Sequence, residues 1–100
     1  MQTLEAINAL EVIRSGETVL LDVYADWCGP CKAMTPILEE VDEEVNDVTV
    51  VKVDADQSVE LLREWGIQSI PTMILFVDGE EEGRIVGAVS KDKLTEFLSG

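Results

Sequence analysis

The sequence predicts an α/β fold, a mixed β-sheet flanked by helices, on three observations. Helical and strand periods alternate along the 100 residues. Two successive strand-helix-strand passages imply parallel strands joined by right-handed crossovers. An Asp78-Gly79 pair between two β-prone runs marks a hairpin that makes the last strand antiparallel. With 46% apolar residues, the chain suits a single domain spanning residues 1–100 around one modest core. No repeat, low-complexity tract or Pro/Gly/Ser linker divides it.

Taken in order, Leu4, Ile7, Leu10 and Ile13 recur at helical spacing until Ser15-Gly16 ends the first helix. Residues 18–24 form a continuous β-prone run, the pattern of a strand covered on both faces, interrupted only by Asp22. From Pro30 onward, Met34, Ile37, Leu38, Val41 and Val45 share one helical face, and Pro36 is expected to kink that helix. Residues 48–53 are the next strand. Asp56 is placed to cap a third helix along Val59, Leu62 and Trp65, stopped by Gly66. Pro71 opens the apolar strand 72–77, and residues 84–89 return after the Asp78-Gly79 turn. A fourth helix follows Ser90, with Leu94, Phe97 and Leu98 facing inward.

Seven basic residues against 21 acidic ones give a net charge of −14, which repels nucleic acid and anionic membrane surfaces. The acidic runs Glu39-Glu40, Asp42-Glu43-Glu44 and Glu80-Glu81-Glu82 read most simply as solvated faces, a surface that also suits high salt. No stretch approaches the roughly 20 apolar residues of a membrane span, and the first residues lack the basic start of a secretory signal. A cytoplasmic, monomeric protein is expected, with no partner in nucleic acid or membrane.

Two cysteines three positions apart close too small a loop to stabilise a fold, so their use should be chemical. Cys28-Gly29-Pro30-Cys31 lies between a buried strand and a long helix. Cys28 falls at the helix N-terminus, where free N–H groups and the helix dipole favour a thiolate and arm it as a nucleophile. Cys31, one turn in, can attack a mixed disulfide formed at Cys28 and release the reduced target. Pro30 suits a first helical turn, having no N–H to leave unpaired. The same spacing also supplies half of a zinc or iron-sulfur site, but the chain holds no histidine and no third cysteine to complete one.

Asp22 is out of place in an apolar strand, where a carboxylate loses hydration and its pKa should rise. Lys52 interrupts the neighbouring strand in the same way. Trp27 reads either as a core aromatic or as a partly exposed lid, and Trp65 as core.

Residues 22–32, Asp-Val-Tyr-Ala-Asp-Trp-Cys-Gly-Pro-Cys-Lys, strongly resemble the active-site strand and loop of the thioredoxin family. Ile70-Pro71-Thr72 and Val86-Gly87-Ala88 resemble the family's second and third signatures, and the likeness extends from about residue 17 to 97. It implies a three-layer α/β/α sandwich with a mixed sheet of four to five strands and four helices. It also implies a general protein-disulfide reductase that uses Cys28 as attacking nucleophile and Cys31 as resolving thiol, the two forming a redox-active disulfide. Asp22 becomes the buried acceptor of the Cys31 proton, through water, and Lys52 its partner. Pro71 becomes a cis residue whose preceding peptide pairs with an extended substrate. The resemblance makes Trp27 the lid, and Trp27, Gly29, Pro30, Ile70, Pro71, Gly87 and Ala88 form a flat apolar patch that docks disulfide-containing proteins.

No bound cofactor is implied; a flavin-dependent reductase using NADPH, or a ferredoxin-linked one, would recharge the cysteines. Gly29-Pro30 between them fits a reductant, since oxidases and isomerases of this superfamily usually carry a histidine there. The first strand is expected to be cut to at most residues 1–4, or absent, and Tyr24 stands where tryptophan is frequent. The contrasting expectation is a binding or assembly subunit that uses the same patch without redox turnover.

Overall fold

Side-chain parity along one strand, β2 (Val19–Tyr24), sorts the hydrophobic interior into two layers. In a computed structural model of the protein, described for residues 1–99, β2 is the middle strand of a five-stranded sheet. Val19, Leu21 and Val23 face one core, shared with Ala9 and Ile13 of α1 (Ala6–Arg14) and with Leu62 and Trp65. Leu20 faces the other, built with Met34, Leu38 and Val41 of α2 (Gly29–Glu44) and Leu94 of α4 (Lys91–Ser99). A strand buried on both faces needs apolar side chains of both parities, which is why this run does not alternate. Asp22 shares its parity with Leu20 and is therefore driven into the α2 layer.

The sheet order is β1-β3-β2-β4-β5, with β1 (Gln2–Thr3), β3 (Thr49–Asp54), β4 (Thr72–Val77) and β5 (Glu80–Val86). The first strand is thus present as two residues, paired in parallel with Val51 and Lys52. β2 and β3 are parallel, joined by α2 as the sequence predicts. The second passage departs from prediction: β4 runs antiparallel to β2, with Thr72 opposite Val23 and Phe76 opposite Val19. The cause is length. α3 (Val59–Glu64) has six residues, about 9 Å of helix, against about 20 Å for a six-residue strand, so it cannot carry the chain back across the sheet. β4 therefore starts at the end of the sheet where β2 and β3 finish, and its Ile70-Pro71 entry lands beside the N-terminus of α2.

Other boundaries shift for local reasons. α3 begins later than predicted because a 3-10 turn (Ala55–Gln57) precedes it: the Asp54 carboxylate accepts the Asp56 N–H at 2.9 Å, and Asp56 caps no helix. β5 starts at Glu80, before the predicted 84, because Asp78 and Gly79 both have positive φ and make a two-residue turn. It ends at Val86, where Gly87 takes φ +94°. Ile7 and Val59 point to solvent, so the buried faces of their helices are carried by Ala9 and Ile13 in α1 and by Leu61 in α3. Trp65 joins the core as expected, its ring 5.5 Å from that of Phe76. The α2 helix continues through Pro36, which is exposed. The acidic runs lie on the surface, with Lys91 bridging Glu40 and Glu44 and Arg84 paired with Glu81.

Candidate active site

Cys28 is the N-cap of α2, with extended backbone at φ −90° and ψ 109°, and Pro30 occupies the first turn. Its sulfur takes the place that a serine or aspartate oxygen usually fills: the Cys31 N–H donates to Cys28 Sγ at 3.2 Å. One of the helix's free donors, at the positive end of its dipole, is therefore aimed at this sulfur and not at that of Cys31. That asymmetry sets Cys28 Sγ apart as the sulfur facing the positive end of the helix. The two cysteines are joined as a disulfide, Cα to Cα 5.3 Å, so the fold represents the oxidised state. Both residues are largely covered, packed with Ala25, Tyr24 and Ile70.

The Ile70-Pro71 peptide is cis, and the Ile70 carbonyl oxygen lies 3.9 Å from Cys28 Sγ. Pro71 is buried and its carbonyl accepts the Gly87 N–H at 2.8 Å. This bond brings the third signature against the second. Gly29, Pro30 and Ala88 are exposed, Ile70 and Gly87 half-buried, and Val86 of the third signature adds an exposed apolar side chain to those expected in the patch.

Trp27, next to Cys28 in the chain, is 70% exposed and so lies on the surface and not in the core. Its indole Nε1–H donates to Asp56 Oδ2 at 2.9 Å. Together with Ser69 and Ile70 they line a shallow depression of about 220 Å³. Two larger grooves, of about 620 and 610 Å³, involve none of the sequence-predicted site residues. Asp56 belongs to the site although sequence reading gave it a capping role; its partner is 29 positions away, and no local pattern announces such a bond.

Asp22 is 1% exposed. Neither of its oxygens meets a hydrogen-bond donor among the described residues of the protein. Burial pushes its pKa up to about 6, partly opposed by the positive charge of Lys52. Lys52 is the direct neighbour of Asp22 in the parallel ladder, but its ammonium sits 4.2 Å above the Tyr24 ring and no ion pair closes. A carboxyl group poised near neutrality in this place can take up a proton at physiological pH.

Among the described residues, no group of three or more His, Cys, Asp or Glu side chains is arranged to hold a metal ion. No helix among the described residues is long and apolar enough to cross a membrane.

A thioredoxin family model matches residues 3–100. The chain belongs to the thioredoxin family. It is 44% identical over 99 residues to the thioredoxin of Chlamydia trachomatis serovar D, covering 99% of this chain and 96% of that one. It is 46% identical over 101 residues to a bifunctional thioredoxin reductase/thioredoxin of Mycobacterium leprae, covering 97% of this chain and 22% of that protein. A solved point-mutant thioredoxin from Halobacterium salinarum NRC-1 superposes with a TM-score of 0.87 at 34% identity, over 98% of this chain and 88% of that one. With the fold and the cysteine pair in place, the protein is a thiol-disulfide oxidoreductase of the thioredoxin type, acting as a protein-disulfide reductase.

Proposed function

We propose that residues 1–100 act as a single-domain, monomeric, cytoplasmic reductant of disulfides in many proteins, with the following division of labour. The Cys28 thiolate attacks one sulfur of a target disulfide; the other target sulfur leaves as a thiolate, and a mixed disulfide joins Cys28 to the target. Cys31 then gives its proton to Asp22 and attacks Cys28 Sγ, expelling the second target thiolate and closing the Cys28–Cys31 disulfide. Two electrons have passed to the target, and the closed pair is the state described above.

The observation that carries this reading is the Cys31 N–H donated to Cys28 Sγ at the head of α2, which supports Cys28 as the attacking sulfur and Cys31 as the resolving one. The raised pKa of Asp22 supports its role as proton acceptor, and the closeness of Lys52 in the ladder supports a part in tuning it. The exposed Trp27, Gly29, Pro30 and Ala88, with the half-buried Ile70 and Gly87 and the cis Pro71, support an apolar docking face around the attacked sulfur. Such a face recognises extended backbone more than particular side chains, which gives a broad target range.

A thioredoxin reductase, NADPH- or ferredoxin-linked, would return the electrons; the Mycobacterium leprae relative, named as carrying both activities in one chain, supports such a partner. A cysteine pair used for chemistry suits a reducing compartment, and the net charge of −14 opposes self-association.

The test is reduction of a disulfide protein such as insulin by the reduced protein and its variants. Cys28→Ser should abolish turnover, and Cys31→Ser should accumulate the mixed disulfide as a covalent adduct. Full biological activity of the double Cys28→Ser, Cys31→Ser variant would instead favour a binding or assembly role.

A further inference from the structure

We propose that Met34 is a positioning residue for the target-docking loop, its thioether latching Val89 to the helix that carries Cys31. This rests on the docking face described under the proposed function and adds the device that holds one side of it in place.

The loop after β5 has no regular secondary structure from Gly87 to Ser90. Its geometry depends on where its few backbone groups bond. The Gly87 N–H goes to the Pro71 carbonyl at 2.8 Å, which fastens the loop to the cis-proline turn. Two residues on, the Val89 N–H donates to Met34 Sδ at 3.4 Å. Ala88, between these two ties, is exposed. The loop is thus pinned on both sides of the residue it presents.

Met34 is fully buried on α2, three residues beyond Cys31, and Val89 packs against the same core. Leucine or isoleucine would fill the space, but only a sulfur offers the amide an acceptor, weak as a thioether is. One helical turn therefore carries Cys31 at its start and the anchor of the docking loop at its end, which fixes the loop relative to the cysteine pair.

The test compares Met34→Leu, with Met34→Ile as a second apolar replacement, against Met73→Leu. Met73 is equally buried in the same core and makes no such bond among the described residues, so it reports the general effect of losing a core methionine. In the Met34 variants, exchange of the Val89 amide should accelerate and KM for insulin should rise, each about threefold, as expected for loss of one hydrogen bond. The kcat should hold, as should the rate with a small aromatic disulfide that does not need the loop. Met73→Leu should leave Val89 exchange and KM at their wild-type values. Unchanged Val89 exchange in the Met34 variants would overturn the latch; faster exchange with unchanged KM would overturn the docking role, as would equal effects from Met73→Leu. Failure of the wild-type protein to reduce insulin would instead sink the reductase reading and the docking role with it, while the exchange comparison still decides the latch.

Discussion

The indole of Trp27 is tied to the carboxylate of Asp56 by a 2.9 Å hydrogen bond between two exposed residues. Left free, so exposed a ring would sample several rotamers. Tied, it stands as one wall of the depression next to Cys28, and Asp56 is itself held by the bond from its own N–H to Asp54. Asp56→Ala should therefore raise KM for protein targets about two- to fivefold, the range for one exposed hydrogen bond, with kcat little changed. Asp56→Asn keeps an acceptor oxygen and should stay near wild type. Steady-state insulin reduction separates the two; equal KM values in both variants would show that the carboxylate does not orient the ring.

Asp22 makes stability depend on pH with a definite sign. Its folded pKa, about 6, lies above the ordinary 3.8, so the folded state binds the proton more tightly than the unfolded one. The penalty of ionising the buried carboxyl is absent below about pH 4, grows as pH rises and is complete above about pH 6. Its full size is roughly 3 kcal/mol, the free energy of a shift of about two pKa units. Asp22→Asn should accordingly gain stability over wild type at pH 7.5 but gain much less at pH 4. Urea midpoints at the two pH values give the answer, and a difference that ignores pH would contradict the burial argument.

The same substitution should slow chemistry where it helps stability. On the proposed role of Asp22 as acceptor of the Cys31 proton, removing the carboxylate should slow release of the mixed disulfide about tenfold or more at pH 7. In wild type, that step should also slow as pH falls through about 6, when Asp22 becomes protonated. Rapid-mixing kinetics with a preformed mixed disulfide isolates the step; an Asp22→Asn rate equal to wild type would remove Asp22 from the mechanism.

Lys52 offers a separate handle on Asp22. Its positive charge is the force that opposes the burial shift, although its ammonium rests over the Tyr24 ring. Lys52→Met keeps the stem and removes the charge, so the Asp22 pKa should move higher still. A titration of the Asp22 carboxyl carbon by NMR reads this directly, and an unmoved or lowered pKa would show that Lys52 does not act on Asp22.

What could be read in the sequence was whatever depends on short-range pattern. Both core faces of β2, the positive-φ turn at Asp78-Gly79, the stop at Gly66 and the N-terminal placement of Cys28 all follow from residues within a few positions of one another. The Asp22 carboxyl stood out because one ionisable group in an apolar run has few innocent explanations. The direction of β4 was misread because the crossover rule assumes a connecting helix long enough to span the sheet, and α3 is not. The long-range partners of Asp56 and Met34 were not legible for another reason. Their partners, Trp27 and Val89, are 29 and 55 positions away, and the contacts exist only once the ends of β2 and β3 and the exit of β5 have met. Ile7 falls on the helical period with Leu4, Leu10 and Ile13, yet it is exposed while Ala9 is buried, because the period of a short helix does not by itself fix which face meets the sheet.

The central claim, that this cysteine pair serves to reduce other proteins, is tested most directly by its reduction potential. The protein is equilibrated in graded thiol-disulfide buffers and its free thiols are trapped and counted. A potential below about −250 mV, in the range thioredoxins generally occupy, places Cys28 and Cys31 as an electron donor against the cytosolic glutathione pool. A potential above about −200 mV, or failure of the two cysteines to form their disulfide, would contradict the account and point to oxidation, isomerisation or binding without electron transfer.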